Sequence, residues 1–241
     1  MTRPVPDYTL RRSARARNAR LNIRPDGELV VTLPARAPER WATELLEARR
    51  DWVDRHRSRI LAEAARLASR PALGEGRPVP LGGLAHALTV APLPGEWRRT
   101  RVVHDDTAEP TLRVEVARDD GRTLPGILEP WLRAEARDAL ERRVAVRARD
   151  LGVEPRGLAV RDQRSRWGSA SRRGTVSFNW RLVLTPAAVL DYVVVHELAH
   201  LREFGHGRGF WRLVRDHVPE ADAARRWLRA HEPELRAALD R

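Results

Sequence analysis

The chain has 241 residues, of which 42% are hydrophobic and 32% are charged, and it contains no cysteine. This composition excludes a disordered chain and is typical of a folded protein with one large domain or two small ones. No apolar run approaches the ~20 residues of a membrane helix, and the first residues contain no apolar stretch that could serve as a signal peptide. We therefore expect a cytoplasmic protein without membrane contact. Because thiolates are absent, a metal ion must be bound by His, Asp or Glu.

The formal net charge is +12, and all 45 basic residues are arginine. Such an excess can attract nucleic acid. The arginines are nevertheless spread along the chain, and many alternate with acids, as in Arg49-Arg50-Asp51 and Arg137-Asp138. A genome of skewed base content is an equally simple explanation of an arginine-rich chain without lysine. A nucleic-acid partner therefore stays an open alternative, and the composition leaves the oligomeric state unknown.

The first elements predicted in chain order are a hairpin and a long helix. Apolar and polar residues alternate on both sides of an Asp26-Gly27 turn, which predicts the hairpin over 17–33. Apolar residues at helical spacing then predict one helix over about 39–69. A Pro- and Gly-rich segment at 71–83 is expected to be a loop.

Short alternating runs after this loop predict further strands at 87–90, 101–104 and 112–116. His56, His86 and His104 have no partner at ligand spacing, so we interpret them as ordinary surface or edge residues. These elements suggest a β-rich N-terminal region with one long helix over residues 1–122, followed by a second domain over 123–241.

The second domain is predicted to begin with a helix that starts at Pro130 and ends at Gly152. Two paired strands are expected at 158–162 and 175–180, with a loop between them. Thr185-Pro186 has the form of an N-cap followed by a proline at the first helical position.

The helix that follows contains the strongest chemical signal of the chain, His196-Glu197-Leu198-Ala199-His200. Residues i and i+4 of a helix lie on the same face, so the two imidazoles can point at one metal ion. Glu197 is then placed to reach a water in an open coordination position, which is the arrangement of a hydrolytic zinc site. The β-branched run Val193–Val195 disfavours helix by a few tenths to ~0.7 kcal/mol per residue. Burial is worth roughly 1.5–3 kcal/mol per side chain and should outweigh this.

A third metal ligand is required, and His206 is favoured for it. We expect Gly205 to adopt a left-handed conformation that turns the chain, so that His206 returns toward the first two histidines. Glu220 and Glu203 are the alternatives, although Glu203 faces away by helical phase. Neutral imidazole suits zinc, so we expect one Zn²⁺ bound by three histidines.

Several segments share a pattern with a known family: Trp167-Gly168-Ser169, Asn179-Trp180-Arg181-Leu182, Tyr192 to Leu201, His206 and Phe210-Trp211. They resemble the YgjP-like zinc metallopeptidases, relatives of the SprT-like zincins. The N-terminal hairpin and the helix that contains Trp52 also resemble the upstream half of that family, so the resemblance spans most of the chain. The resemblance implies an α+β fold in which a zincin-like active-site helix packs on a small antiparallel sheet. It also implies that His196, His200 and His206 bind zinc and that Glu197 is catalytic. Ala170 stands where the family commonly has Cys, which puts any role of that position in doubt.

The expected function is zinc-dependent hydrolysis of peptide bonds in a peptide or protein substrate. Glu197 takes a proton from the attacking water and returns it to the leaving amine. Arg166, Tyr192 and His217 are candidates for contacts to the substrate or the charged transition state. An extended peptide could pair with an exposed sheet edge near Ser177–Asn179.

Two alternative functions remain open at the level of sequence. The first is hydrolysis of a non-peptide substrate such as a nucleotide phosphoanhydride, whose phosphate oxygens could be bound by Arg166, Arg202 and Arg208. The second is a nucleic-acid-associated protease or binding module, for which affinity should fall steeply with salt.

Overall fold

Short strands and long helices follow one another in the computed structural model, which describes residues 4–95 and 98–240. The chain divides into two units, Met1–Arg70 and Pro71–Arg241. The boundary predicted near residue 122 falls inside the second unit, because the strands before it share one hydrophobic core with the helix after it. None of the described helices is both long enough and apolar enough to span a membrane.

The described part of the first unit contains a small sheet and two helices. Their bounds are β1 (Thr9–Ser13), β2 (Arg20–Ile23), β3 (Leu29–Pro34), α1 (Arg40–Ala48) and α2 (Arg50–Ala68). The predicted hairpin is present, since β2 and β3 pair antiparallel, and β1 adds a parallel strand on the other side of β3. The single predicted helix is interrupted at Arg49, whose φ and ψ of −116° and 15° are not helical.

The second unit begins with a four-stranded sheet and the longest described helix. Their bounds are β4 (Val79–Leu81), β5 (Leu84–Pro92), β6 (Arg101–Asp105), β7 (Thr111–Val116) and α3 (Leu124–Leu151). The strand order is β4-β5-β7-β6, with β5 and β7 parallel and the other neighbours antiparallel. Strand β4 lies within the segment predicted as a loop.

Helix α3 starts six residues before the predicted start at Pro130. The Thr123 side chain accepts a hydrogen bond from the Gly126 N–H at 3.4 Å and caps the first turn, and a proline is tolerated at the second helical position. Pro130 therefore lies inside the helix. The predicted end is correct, because Gly152 adopts a left-handed φ of 62° there.

The remaining elements surround the histidine-containing helix. Their bounds are β8 (Gly157–Arg161), β9 (Gly168–Ala170), β10 (Thr175–Asn179), a 3-10 helix (Trp180–Leu184), α4 (Ala187–Ala199), α5 (Arg208–His217) and α6 (Ala221–Arg236). The fold class is α+β as predicted, but the sheet beside α4 is mixed and not antiparallel. Strands β9 and β10 form a hairpin whose turn uses Gly174 at φ 86°, and β8 then pairs parallel on the other side of β10.

Helix α4 is buried along nearly its whole length. Val193, Val194 and Val195 are at most 3% exposed, so packing overrides their weak helix propensity. The predicted cap is wrong, since Thr185 Oγ1 donates to the Leu182 carbonyl at 2.7 Å and closes the preceding 3-10 helix. The helix begins one residue later than predicted, with the Pro186 carbonyl accepting from Val189 N at 2.8 Å.

Candidate metal centre and its cleft

The last turn of α4 places His196 and His200 side by side, with ring centroids 5.0 Å apart. His200 is the residue at which the helix ends, and its backbone still has helical angles. Its Nδ1 lies 3.0 Å from the Glu203 carbonyl oxygen. Because a carbonyl only accepts, Nδ1–H is the donor and the Nε2 lone pair is left for a metal ion.

The chain then reverses and brings His206 to the same place. Arg202 N and Glu203 N both bond the Ala199 carbonyl, at 3.0 and 2.9 Å, so the reversal is made by tight turns at the helix end. Gly205 does not have a positive φ. The predicted left-handed glycine is therefore wrong, although the predicted return of His206 is observed.

The three imidazoles form a compact donor set. Each offers one nitrogen, and these nitrogens lie within 4.8 Å of one another. The Nε2 atoms of His196 and His206 are 3.2 Å apart, close to the ~3.3 Å between two ligands of a tetrahedral ion with bonds of about 2.05 Å. The donor set thus fits a zinc ion. Glu203 and Glu220, the alternative third ligands, are exposed and do not belong to this group.

Phe210, at the start of α5, is the surface on which the three rings pack. It is 1% exposed, and its ring centroid lies 4.5 Å from that of His200, 4.9 Å from His196 and 4.8 Å from His206. A rigid aromatic side chain in contact with every candidate ligand restricts their rotamers. In the sequence, Phe210 stands out only as part of the segments that carry the family resemblance.

Burial affects the protonation of the candidate ligands. The pKa of His196 is lowered to about 3, first by burial and then by His200, His206 and Arg225. Burial, followed by His200 and Arg225, also lowers the pKa of His206. Both rings are therefore neutral at pH 7, the form that binds metals. No described residue hydrogen-bonds the buried Nδ1 of His196.

The side chain of Glu197, on helix α4, occupies a tight space beside β9. Its side chain is buried, and burial raises its pKa to about 7, opposed by the positive charge of Arg166. Gly168 faces it directly: a Cβ added there would lie 2.6 Å from Glu197 Cγ and 2.7 Å from Oε1. Only glycine at position 168 leaves room for this carboxylate.

A cleft of about 330 Å³ opens beside Glu197 and His196. Arg166 and Tyr192, the predicted substrate contacts, both line it. Tyr192 is buried, its ring centroid is 5.8 Å from that of His196, and burial raises its pKa. Arg225 of α6 also lines the cleft. Arg225 could not be recognised from the sequence, since α6 lies outside every motif.

Other predicted contacts lie elsewhere. His217 uses both ring nitrogens on backbone carbonyls, Leu213 O at 2.9 Å and Asp150 O at 3.3 Å. Arg202 donates to the Leu151 carbonyl at 3.1 Å. Arg208 lines a neighbouring cleft that includes His206. The sheet edge predicted near Ser177–Asn179 does not exist, because β10 is the central strand and is paired on both sides.

Comparisons with known proteins agree with the chemistry of this centre. The model of the family described as YgjP-like, metallopeptidase domain, matches residues 17–231. No curated protein matches the sequence. The crystal structure of the metallopeptidase zymogen abylysin from Pyrococcus abyssi is similar at 23% identity and a TM-score of 0.36, over 39% of this chain and 95% of that chain. The family match, in contrast, covers most of the chain.

Proposed function

Since the chain belongs to the YgjP-like metallopeptidase family and is therefore a metal-dependent hydrolase, we propose that it hydrolyses peptide bonds with one Zn²⁺ bound by His196, His200 and His206. Glu197 is proposed as the residue that carries the proton. The observation that supports this assignment is the convergence of three imidazole nitrogens within 4.8 Å, beside a buried carboxylate that opens onto a cleft.

The four side chains have separate tasks. The neutral imidazoles bind the ion and are held in place by Phe210. When bound, zinc lowers the pKa of a coordinated water and polarises a substrate carbonyl. Glu197 accepts a proton from the attacking water and delivers it to the amine of the leaving peptide. Its raised pKa in the metal-free protein reflects burial, and a cation next to it favours the ionised form that accepts the proton.

Arg166 and Tyr192 are proposed to stabilise the negative charge that develops on the carbonyl oxygen. Both lie in the cleft with Glu197. The raised pKa of Tyr192 keeps its phenol protonated at neutral pH, so its O–H is available as a donor. Arg225, whose positive charge lowers the pKa of His196, adds to the favourable potential for an anionic transition state.

The outer edge of β9 is proposed to bind the substrate backbone. Strand β9 is an edge strand in the order β8-β10-β9, and Gly168 at its start contacts Glu197. A peptide added as an extra strand at this edge would run past the carboxylate, with recognition through backbone hydrogen bonds. This replaces the predicted edge near Ser177–Asn179.

The test is Glu197→Gln, which keeps the size of the side chain and removes its basicity. We expect zinc content to be unchanged and cleavage of casein to fall by about 10²–10⁴-fold, the usual contribution of a general acid–base residue. Glu203→Gln is the matched control, because Glu203 loses the same charge nearby but contributes only its backbone carbonyl to His200.

Wild-type cleavage by zinc-loaded Glu197→Gln would refute the role of Glu197. The same wild-type preparation is assayed on a panel of nucleotides. Hydrolysis of a nucleotide with no cleavage of casein would overturn the peptide substrate and favour the phosphoanhydride alternative.

A further inference from the structure

A second group of metal-ligating side chains lies in the β4-β5-β7-β6 sheet. It consists of His86 on β5, His104 on β6 and Asp106 just after β6. The sequence predicted ordinary surface or edge positions for both histidines. That is wrong for His86, which is fully buried, while the side chain of His104 is 25% exposed. Sequence spacing could not reveal this group. In the sheet, β7 lies between β5 and β6, although it follows both of them in the chain.

The strand register explains how the two histidines meet. Leu88 and His104 both pair with Leu112 of β7, so the three side chains point to the same face of the sheet. His86 lies two residues before Leu88 and therefore shares that face. Leu88 and Leu112 are buried in the core. The polar group thus occupies one end of an otherwise apolar, core-facing surface.

The contacts within the group are short and mutual. His86 Nε2 lies 2.8 Å from Asp106 Oδ1, His104 Nε2 lies 2.6 Å from the same oxygen, and the two Nε2 atoms are 3.1 Å apart. The other nitrogen of His86 is 3.2 Å from the Leu84 carbonyl oxygen. This carbonyl can only accept, so His86 Nδ1 carries a proton and, in the neutral ring, Nε2 presents a lone pair to the group.

A count of protons shows why a cation suits this arrangement. His86 Nε2 and the Asp106 carboxylate are then two acceptors 2.8 Å apart. With both rings neutral, a proton on His104 Nε2 can bridge to only one acceptor at a time, and no proton then lies between His86 Nε2 and Asp106 Oδ1. A single cation at the centre satisfies all three contacts at once.

The donor set also selects a class of ion. Two imidazoles and one carboxylate form the set that binds divalent first-row transition metals with open coordination positions. Adjacent ligands at right angles with bonds of about 2.1 Å lie ~3 Å apart. The two Nε2 atoms, 3.1 Å apart, match this spacing, whereas Asp106 Oδ1, at 2.8 and 2.6 Å from them, must move outward by a few tenths of an ångström. Asp106 is 62% exposed and follows the last residue of β6, so its carboxylate is free to adjust to an ion.

We propose that His86, His104 and Asp106 form a second metal site, separate from the three-histidine centre, which binds a divalent transition-metal ion such as Zn²⁺. The ion links β5 to β6 across β7 and stabilises this end of the sheet. His86 is oriented for it by the Leu84 carbonyl, in the way that an acceptor behind a histidine ligand fixes its tautomer.

The experiment measures zinc bound per chain and the affinity of each site. Full-length protein is stripped with a chelator and titrated with Zn²⁺ against a chromophoric competitor. We expect two ions per wild-type chain. Asp106→Ala should weaken one of them at least ~100-fold, since even loss of an outer-shell partner costs 10–100-fold. Asp105→Ala is the matched control, because its carboxylate accepts from Thr107 N and does not touch the group.

His200→Ala removes the three-histidine centre and isolates the second site. In this background we expect one ion per chain and a rise in Tm on adding Zn²⁺, both abolished by Asp106→Ala. His104→Gln provides an independent ligand deletion, and near-UV circular dichroism checks that each variant is folded. A single ion in wild type that His200→Ala eliminates would overturn the proposal. So would two ions retained in both Asp106→Ala and His104→Gln.

Discussion

The substitution Gly168→Ala tests whether the backbone of β9 sets the position of Glu197. The new Cβ would lie 2.6, 2.7 and 2.8 Å from Glu197 Cγ, Oε1 and Cδ. Carbon atoms prefer separations of about 3.5–4.0 Å, so the carboxylate must move by about 1 Å. Glu197 is buried, which leaves little room to absorb that movement.

Gly168→Ala is expected to lower both the rate of hydrolysis and the free energy of unfolding. A displacement of about 1 Å in a reacting group costs on the order of 10²-fold in rate, equivalent to about 2.7 kcal/mol of transition-state stabilisation. Overpacking of a tight site costs about 1–3 kcal/mol of unfolding free energy. The three atoms nearest to the added methyl all belong to Glu197 and none to a histidine, so we expect zinc content not to change.

The assay compares kcat/KM on casein-derived peptides, zinc content and thermal unfolding for wild type and variant. Gly157→Ala in strand β8 of the same sheet is the control, since its added Cβ would meet its nearest atom at an ordinary 3.9 Å. Wild-type turnover by Gly168→Ala would show that the contact with β9 does not position the carboxylate.

Two further predictions concern stability. In metal-free protein the pKa of Glu197 is raised from 4.5 to about 7. The protonated side chain therefore contributes stability that is fully present below pH 4.5 and is lost as the pH rises through 7. At 1.36 kcal/mol per pKa unit, the loss is about 3 kcal/mol. Between pH 4.5 and 8, the unfolding free energy of Glu197→Gln, measured with urea, should therefore rise by about that amount relative to wild type, and a constant difference would contradict a buried, proton-binding carboxylate. His196 has the opposite effect, since its lowered pKa removes stability as the pH falls below 6.5. This effect is common to both proteins and cancels in the comparison. Asp191 of α4 forms a bidentate ion pair with Arg147 of α3 at 2.9 and 2.5 Å. Asp191→Ala should therefore lower the unfolding free energy by roughly 3 kcal/mol. The control Asp216→Ala, at an exposed position, should change it by less than about 0.5 kcal/mol.

The main features of the candidate metal centre follow from local sequence. Residues four apart on a helix share a face, which is why His196 and His200 could be paired and Glu197 placed next to them. The return of His206 was also predicted, but through a left-handed Gly205 that the structure does not contain. The family resemblance suggested by these motifs is confirmed by the family match over residues 17–231.

The sequence by itself therefore determined features that depend on residues close together in the chain. These are the spacing of His196 and His200, the α+β class, the β2–β3 hairpin and the helix end at Gly152. Only the tertiary structure decided which distant segments meet. Gly168 opens space for Glu197, Phe210 supports three imidazoles, and His86 reaches His104 across β7. The physical reason is that such contacts depend on strand order and register, and a strand can pair on either side of its neighbour without any change in its own alternation of apolar and polar residues.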